Sequence, residues 1–332
     1  MKKFDDVRAG FFNDNSDKVY KTPSFDVLKT LQFNEGTKWT DCEKPKELIE
    51  YGKEPPLGVK DLHGMGVNGE GVNVAIIDQP LAVNHPEYDG KVIAYKKFCP
   101  DGYQMKVSSM HGPAVVSLLA GKNIGVAPKV NVFYAANPCW LGDAIYEIQA
   151  VKWIIEINKG LPENKKIKFI SVSAAPGDPY MRSKNHELWL DCVEEAKKEG
   201  ILVVDCTTGN RFVTAGYVEP TTGEFCYGFP DMRMIRPQKG EVHVPNSVRT
   251  VAESYDNENF SYTYCGKGGL SWGIPYAVGV LCLGQQVNPN LSAFELKEML
   301  IETASKNGCV INPKAFLEMV KERKEEKSSE EY

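Results

Sequence analysis

Short apolar, β-branched runs recur along this chain and are separated by stretches with helical spacing. That alternation restricts the fold more than any other feature. The runs cover residues 72–77, 130–135, 168–173, 201–205 and 248–252. Between the second and third, Ala144, Ile148, Val151 and Ile155 recur every three or four residues, which predicts an amphipathic helix over 141–158. Leu188, Cys192 and Ala196 mark a second helix, closed by Gly200 in the C-cap role. A third opens near Ser271, and a fourth runs over 292–305, where Ser292 and Glu295 have the spacing of a capping box. Strands that alternate with helices pair in parallel and need cover on both sides. The expected fold class is therefore α/β, in three layers: a mostly parallel sheet with helices on both faces.

The expected organisation is an N-terminal extension over 1–55, a main domain over 56–320 and a charged tail over 321–332. The extension is polar, with turn-formers at Asn13-Asp14-Asn15 and Thr22-Pro23-Ser24, and it closes at Pro55-Pro56. It lacks the alternating pattern of a compact folding segment, so it is expected to remain attached to the mature chain, pinned by Phe11, Phe12, Phe25, Leu28 and Leu31. The tail reads as a solvated helix end. A net charge of −5 without a basic stripe argues against nucleic acid as a partner. Aspartates follow Lys2 and Lys3 where an export signal needs an apolar core, and no apolar run approaches the length of a membrane span. The nine cysteines form no CxxC pair, and several, such as Cys206 and Cys282, lie in apolar runs. This reads as buried, reduced thiols in a cytoplasmic protein, with no ligand spacing for zinc or another metal.

Three segments carry candidate chemistry. Gly269-Leu270-Ser271-Trp272-Gly273 sets a serine between near glycines at the start of a helix, where small neighbours leave the hydroxyl clear and the helix N-terminus favours negative charge. Taken alone, the segment is equally a tight turn with a capping serine. Asp78 ends the apolar strand Val74-Ala75-Ile76-Ile77, and with Pro80 nearby it also reads as a turn former. His111 precedes the small-residue run Gly112-Pro113-Ala114, or is a first-turn surface histidine. Chain order narrows the choice. The histidines are His63, His85, His111, His186 and His243, so none follows Ser271, as an α/β-hydrolase would require. The order His, Asp, Ser belongs to β-barrels. Asp78, His111 and Ser271 on an α/β scaffold remain.

Together these segments resemble the subtilisin-like (S8) peptidase family over about residues 56–305. Asp78 in IIDQP is similar to the family's aspartate block, and His111 heads HGPAVVSLLAG, similar to its histidine-glycine block. Ser271 lies in GLSWGIPYAVGVL, similar to the serine block with a proline four residues later, and VVDCTTGN, ending at Asn210, resembles the strand that carries an oxyanion asparagine. The resemblance implies a serine endopeptidase acting on peptides or proteins through an acyl-enzyme, without a cofactor. His111 would move the Ser271 proton, Asp78 would orient His111, and the Asn210 amide would join the Ser271 N–H at the oxyanion. Ser173, Ala174 and Ala175 resemble the substrate-binding edge, with residues 139–142 facing it. The chain departs from the family at Gln79-Pro80, where Thr-Gly or Ser-Gly is usual, at Ala114, where a second histidine is usual, and at the bulky Trp272. Residues 211–247 are longer than usual and the stretch before Ser271 is shorter. These departures bear on substrate preference. An inactive binding or scaffold protein of the same fold is the alternative, and the same triad also cleaves activated esters.

Family members often hold calcium in a loop inserted after the histidine helix. Here LAGKNIGV over 119–126 runs straight to Ala127-Pro128 and leaves no oxygen-rich loop. A chelator is therefore expected to leave the melting temperature unchanged in a thermal scan; a drop of many degrees, reversed by calcium, would count against this.

Overall fold

The computed structural model describes residues 1–10, 17–176, 183–207, 209–233 and 240–330. Phe11 and Phe12 of the extension, and the last two residues of the tail, lie outside the described residues. The main elements, in chain order, begin with β1 (Gln32–Asn34), α1 (Glu43–Lys53), β2 (Asn73–Asp78), β3 (Val92–Lys97), α2 (His111–Ala120) and β4 (Asn131–Ala136). There follow α3 (Ile145–Gly160), β5 (Phe169–Val172), α4 (Trp189–Lys198), β6 (Leu202–Asp205), β7 (Val213–Val218), β8 (Phe225–Tyr227) and β9 (Val242–Pro245). The chain ends with β10 (Arg249–Ser254), β11 (Phe260–Cys265), α5 (Leu270–Val287), α6 (Ala293–Ser305) and α7 (Pro313–Glu330).

Five strands form the central parallel sheet in the order β3-β4-β2-β5-β6. β2 is its middle strand and is buried throughout, which explains its unbroken apolar sequence. Its register sets Asp78 beside Ala136 and Ile77 beside Val172. Side chains alternate between two cores. Val74 and Ile76 pack under α2 and α5, against Val115, Leu118, Val278 and Leu281. Ala75 and Ile77 face α3 and α4, against Ile148, Val151, Ile155, Cys192 and Ala196. The expected three-layer arrangement is thus the observed one. The edge strand β3 shows mixed exposure, and its sequence VIAYKK lacks the continuous apolar run that identifies its neighbours.

Local signals place the helix ends well. Ser292 and Glu295 form the reciprocal capping box. Gly200, at φ 76, closes α4, and Ile201 N–H donates to Ala196 O at 3.0 Å. α3 starts later than its periodicity predicts. Residues Cys139–Leu141 form a single 3₁₀ turn, Gly142 is left-handed, and Asp143 Oδ1 accepts from Ile145 N–H at 3.1 Å to start the helix there. The run 248–252 also departs from expectation. It becomes β10, antiparallel to β11 and outside the parallel sheet. Only residues 255–259 link the two, too few for the crossover that a parallel neighbour needs. β7 pairs with β8 and β9 in a further three-stranded sheet.

The extension is built into this framework. β1 adds to the free edge of β11, pairing Phe33 with Tyr264. Leu28 and Leu31 are fully buried with Phe33, Leu48, Ile49 and Val248, and Phe25 packs against that cluster. Asn34 Nδ2 donates to Glu253 on β10 at 2.8 Å. Gly266, just beyond β11, donates to Leu31 O at 2.9 Å. A Cβ on Gly266 would fall 2.5 Å from Lys29 O, so only glycine permits this approach. Leu31→Ala is expected to lower stability by about 2–5 kcal/mol, read as a fall in the urea midpoint. An unchanged midpoint would mean that the extension is a detached wrapping.

Candidate active site

Asp78 ends β2 with no exposed surface. Its Oδ1 accepts from His111 Nδ1 at 2.6 Å and from the Gln79 N–H at 2.8 Å, while Oδ2 has no partner. The first distance is that of a charge-assisted bond. Donation from Nδ1 fixes the tautomer and leaves Nε2 as the nitrogen for proton transfer. His111 begins α2, where Ser109 Oγ accepts the N–H groups of both His111 and Gly112 at 3.2 Å. The helix can lie this close to the strand end because residue 112 is glycine. A Cβ there would stand 2.4 Å from Gln79 O and 2.8 Å from Pro80 O. Tyr134, from the neighbouring strand, donates its hydroxyl to Gln79 O and holds the turn that follows Asp78.

Ser271 is the second residue of α5, after the extended Gly269. Its carbonyl would normally accept from the N–H four residues on, but that residue is Pro275, which has none. Ser173 fills the vacancy: its hydroxyl donates to Ser271 O at 2.9 Å. In return the Ser271 hydroxyl donates to Ser173 O at 3.4 Å. The expected edge residue Ser173 therefore clamps the start of α5 to the end of β5. Of its neighbours, Ala175 is buried and Ala174 half-buried. In this arrangement Ser271 Oγ has no hydrogen bond to His111. Trp272, next in the chain, does meet the imidazole, with ring centroids 5.1 Å apart at 37°.

Asn210 is placed differently from its expected role. Its Nδ2 donates to Val203 O and to Asp205 Oδ1, each at 3.1 Å. Both amide hydrogens are thus spent on the end of β6, and neither is free for an oxyanion beside Ser271. The reason is Asp205, a carboxylate 1% exposed that must collect donors to remain buried. It takes them from Trp189 Nε1 at 2.6 Å, the Thr207 N–H at 3.1 Å and Asn210. The sequence offered one signal for this, a carboxylate ending an apolar run at ILVVD.

Two further groups near Asp78 carry titration behaviour with no sequence signal: Cys139, within the expected facing segment, and Glu147. Cys139 Sγ accepts from Gln79 Nε2 at 3.2 Å, and burial, with the charge of Asp78, pushes its thiol up to about 12. It is therefore a neutral thiol at physiological pH. Glu147, in the first turn of α3, is 3% exposed and its Oε2 has no partner. Burial first, and then the charges of Asp143 and Asp78, raise its carboxyl to about 7. The expected facing segment, residues 139–142, exposes Trp140 and Leu141, and Trp140 Nε1 donates to Tyr103 at 2.9 Å. No group of three or more His, Cys, Asp or Glu among the described residues is arranged to hold a metal.

A model of the subtilase family matches residues 69–251, more than half of the chain. The matched segment includes Asp78, His111, Ser173 and Asn210 and stops short of Ser271. A subtilisin-like protease 2 from Trichophyton equinum is 32% identical over 139 residues, which span 41% of this chain and 30% of the relative. Among solved structures, PatG macrocyclase in complex with peptide covers 80% of this chain and 96% of its own, with a TM-score of 0.60 at 12% identity. Fervidolysin from Fervidobacterium pennivorans, a keratinolytic enzyme related to subtilisin, covers 79% of this chain and 44% of its own, with a TM-score of 0.55 at 17% identity. At such identities the structural likenesses establish the fold.

The buried Glu147 gives the site a measurable pH signature. Folding raises its pKa from an ordinary 4.5 to about 7. The native state therefore holds a proton that the unfolded chain releases between those values, and stability falls as pH rises through that window. The full cost above pH 7 is about 3 kcal/mol. Glu147→Gln is expected to unfold at a higher urea concentration than the parent at pH 8 and at the same concentration at pH 4. Equal midpoints at pH 8 would show that the carboxyl is solvated.

Proposed function

This chain belongs to the subtilase family, and on that premise we propose that it is a serine endopeptidase with Ser271 as nucleophile, His111 as base and Asp78 as orienting acid. The observation that carries the reading is the 2.6 Å contact between His111 Nδ1 and a fully buried Asp78 at the carboxyl edge of the central strand. Ligands of open parallel sheets bind along that edge. The Ser271 hydroxyl leaves Ser173 O by rotation about its side chain and gives its proton to His111 Nε2 as it attacks the peptide carbonyl. Asp78 stabilises the imidazolium that forms. His111 then protonates the leaving amine, and water, activated in the same way, releases the acyl group. The Ser271 N–H, in the first turn of α5, lies in the positive field of the helix terminus and faces the developing oxyanion. Asn210 joins it when substrate draws the amide from Asp205. Peptides and proteins are the proposed substrates, lying between Ser173-Ala174-Ala175 and the turn at Cys139–Leu141.

A second reading, an inactive binding protein of the same fold, is favoured by two observations. The Ser271 hydroxyl is bonded to Ser173 and the Asn210 amide to Asp205. A fluorophosphonate distinguishes the two. The endopeptidase reading expects covalent labelling at Ser271, lost in Ser271→Ala, and near-equal loss of peptide turnover in Ser271→Ala, His111→Ala and the double variant, because triad members act as a unit. Asn210→Ala is expected to keep labelling while turnover falls by roughly 10²–10³-fold. Absence of labelling in the folded parent would leave the binding-protein reading in its place.

A further inference from the structure

His111 opens α2, where the positive field of the helix terminus disfavours a further positive charge. The proposed reaction nevertheless turns its ring into an imidazolium. Asp78 Oδ1 accepts from Nδ1 at 2.6 Å and supplies one compensating charge. That contact holds a single ring atom, at the edge of the imidazole, and leaves the face to other groups. The ring that meets His111 is the indole of Trp272, with centroids 5.1 Å apart at 37°. At that separation an aromatic ring attracts a cation through the negative charge of its face, and an indole does so more strongly than a phenyl or phenol ring. The His111 side chain is 14% exposed, so water screens the attraction only in part.

Trp272 is itself held in place. It is 6% exposed and belongs to the core cluster between α2 and α5. Its backbone N–H donates to Gly269 O at 2.9 Å in the first turn of α5. Its indole N–H bears on Cys265 at the end of β11, a thiol that burial pushes up to about 12 and that the indole draws the other way. Other titratable groups bear on the same centre from each neighbouring element. Asp78 comes from β2, and Tyr134 from β4 donates to Gln79 O. Cys139 accepts from Gln79 Nε2, and Glu147 from α3 adds its charge to that of Asp78. None of these offers a face to the imidazole as Trp272 does.

We propose that Trp272 is a positioning residue for His111, whose indole covers the imidazole and stabilises that ring when it is protonated. The bulky residue beside Ser271 thus acts with Asp78: the carboxylate holds the edge of the ring and the indole holds the cation from another side. The part this plays in turnover rests on the peptidase reading above; the contact with the charged ring does not.

The test replaces Trp272 in the full chain with tryptophans carrying one, two and then four ring fluorines. These keep the shape of the indole closely and withdraw the negative charge from its face. The readout is the pH midpoint of the His111 ring-proton shift in the nuclear magnetic resonance spectrum. The midpoint is expected to fall with each added fluorine, by about half a pH unit across the series, because the protonated ring loses its partner. Glu147 titrates in the same range but is present in every protein compared, so the difference between them isolates position 272. Should the fluorinated proteins fail to fold, Trp272→Phe decides, with a fall expected for its weaker ring face. A midpoint that stays in place or rises overturns the proposal and leaves Trp272 as packing alone. The titration needs no enzyme activity. A parent that a phosphonate does not label would remove the peptidase reading, while the midpoint would still decide the contact.

Discussion

A carboxylate with no exposed surface cannot remain ionised at the end of a buried strand unless donors are brought to it, and Asp78 sets that demand for the whole site. The parallel sheet removes its water, and helix α2 supplies the replacement through the 2.6 Å bond from His111. Much of the surrounding structure serves that one contact. Gly112 removes the side chain that would hold the helix off, Ser109 satisfies the first helical N–H groups, and Tyr134 fixes the carbonyl of the turn beyond Asp78. The packing of α2 against α5 then decides where Ser271 stands relative to the imidazole, whose ring meets that of Trp272 with centroids 5.1 Å apart.

Hydrogen-bond accounting explains the second half of the site. Pro275 takes one N–H out of the first turns of α5 and leaves the carbonyl of Ser271 without its helical donor. The side chain of Ser173 restores it. A helix start is thereby tied to the end of β5, and the residue proposed as nucleophile is held by a partner that lies on the proposed substrate edge. Asp205 acts in the same manner on the next strand, gathering Trp189, Thr207 and Asn210 around a second buried carboxylate. Both clusters follow from one rule: a buried polar group keeps its place by recruiting donors from whatever elements the fold brings near.

The antiparallel sheet of β1, β10 and β11 joins the extension to the chemistry. β11 leads within a few residues to Ser271, and its outer edge is covered by β1. The close approach at Gly266 and the buried Leu28 and Leu31 make the first residues of the chain part of the support beneath that segment. Arg249 and Val248 stand at the same open end of the hairpin, where Arg249 pairs with Cys265 and Val248 N–H donates to Gly266 O at 3.3 Å.

What was legible in the sequence was local. The apolar β-branched runs named four of the five parallel strands, the Ser292 and Glu295 spacing named a helix start, Gly200 named a helix end, and Asp78 was readable as the polar end of a buried strand. Those signals survive because strand burial, capping and left-handed closure depend on neighbours within a few residues. Pairings between distant residues were decided only by the tertiary structure. Ser173 and Ser271 are separated by 98 positions and Asn34 and Glu253 by 219, and no periodicity links them. Asn210 shows how such a partner redirects a local expectation: its position in the chain suits an oxyanion donor, yet its amide is claimed by Asp205, whose burial only the packing of α4 on β6 creates. The burial of Glu147 and Arg249 has no sequence signal, because desolvation belongs to the assembled interior and to no stretch of chain by itself.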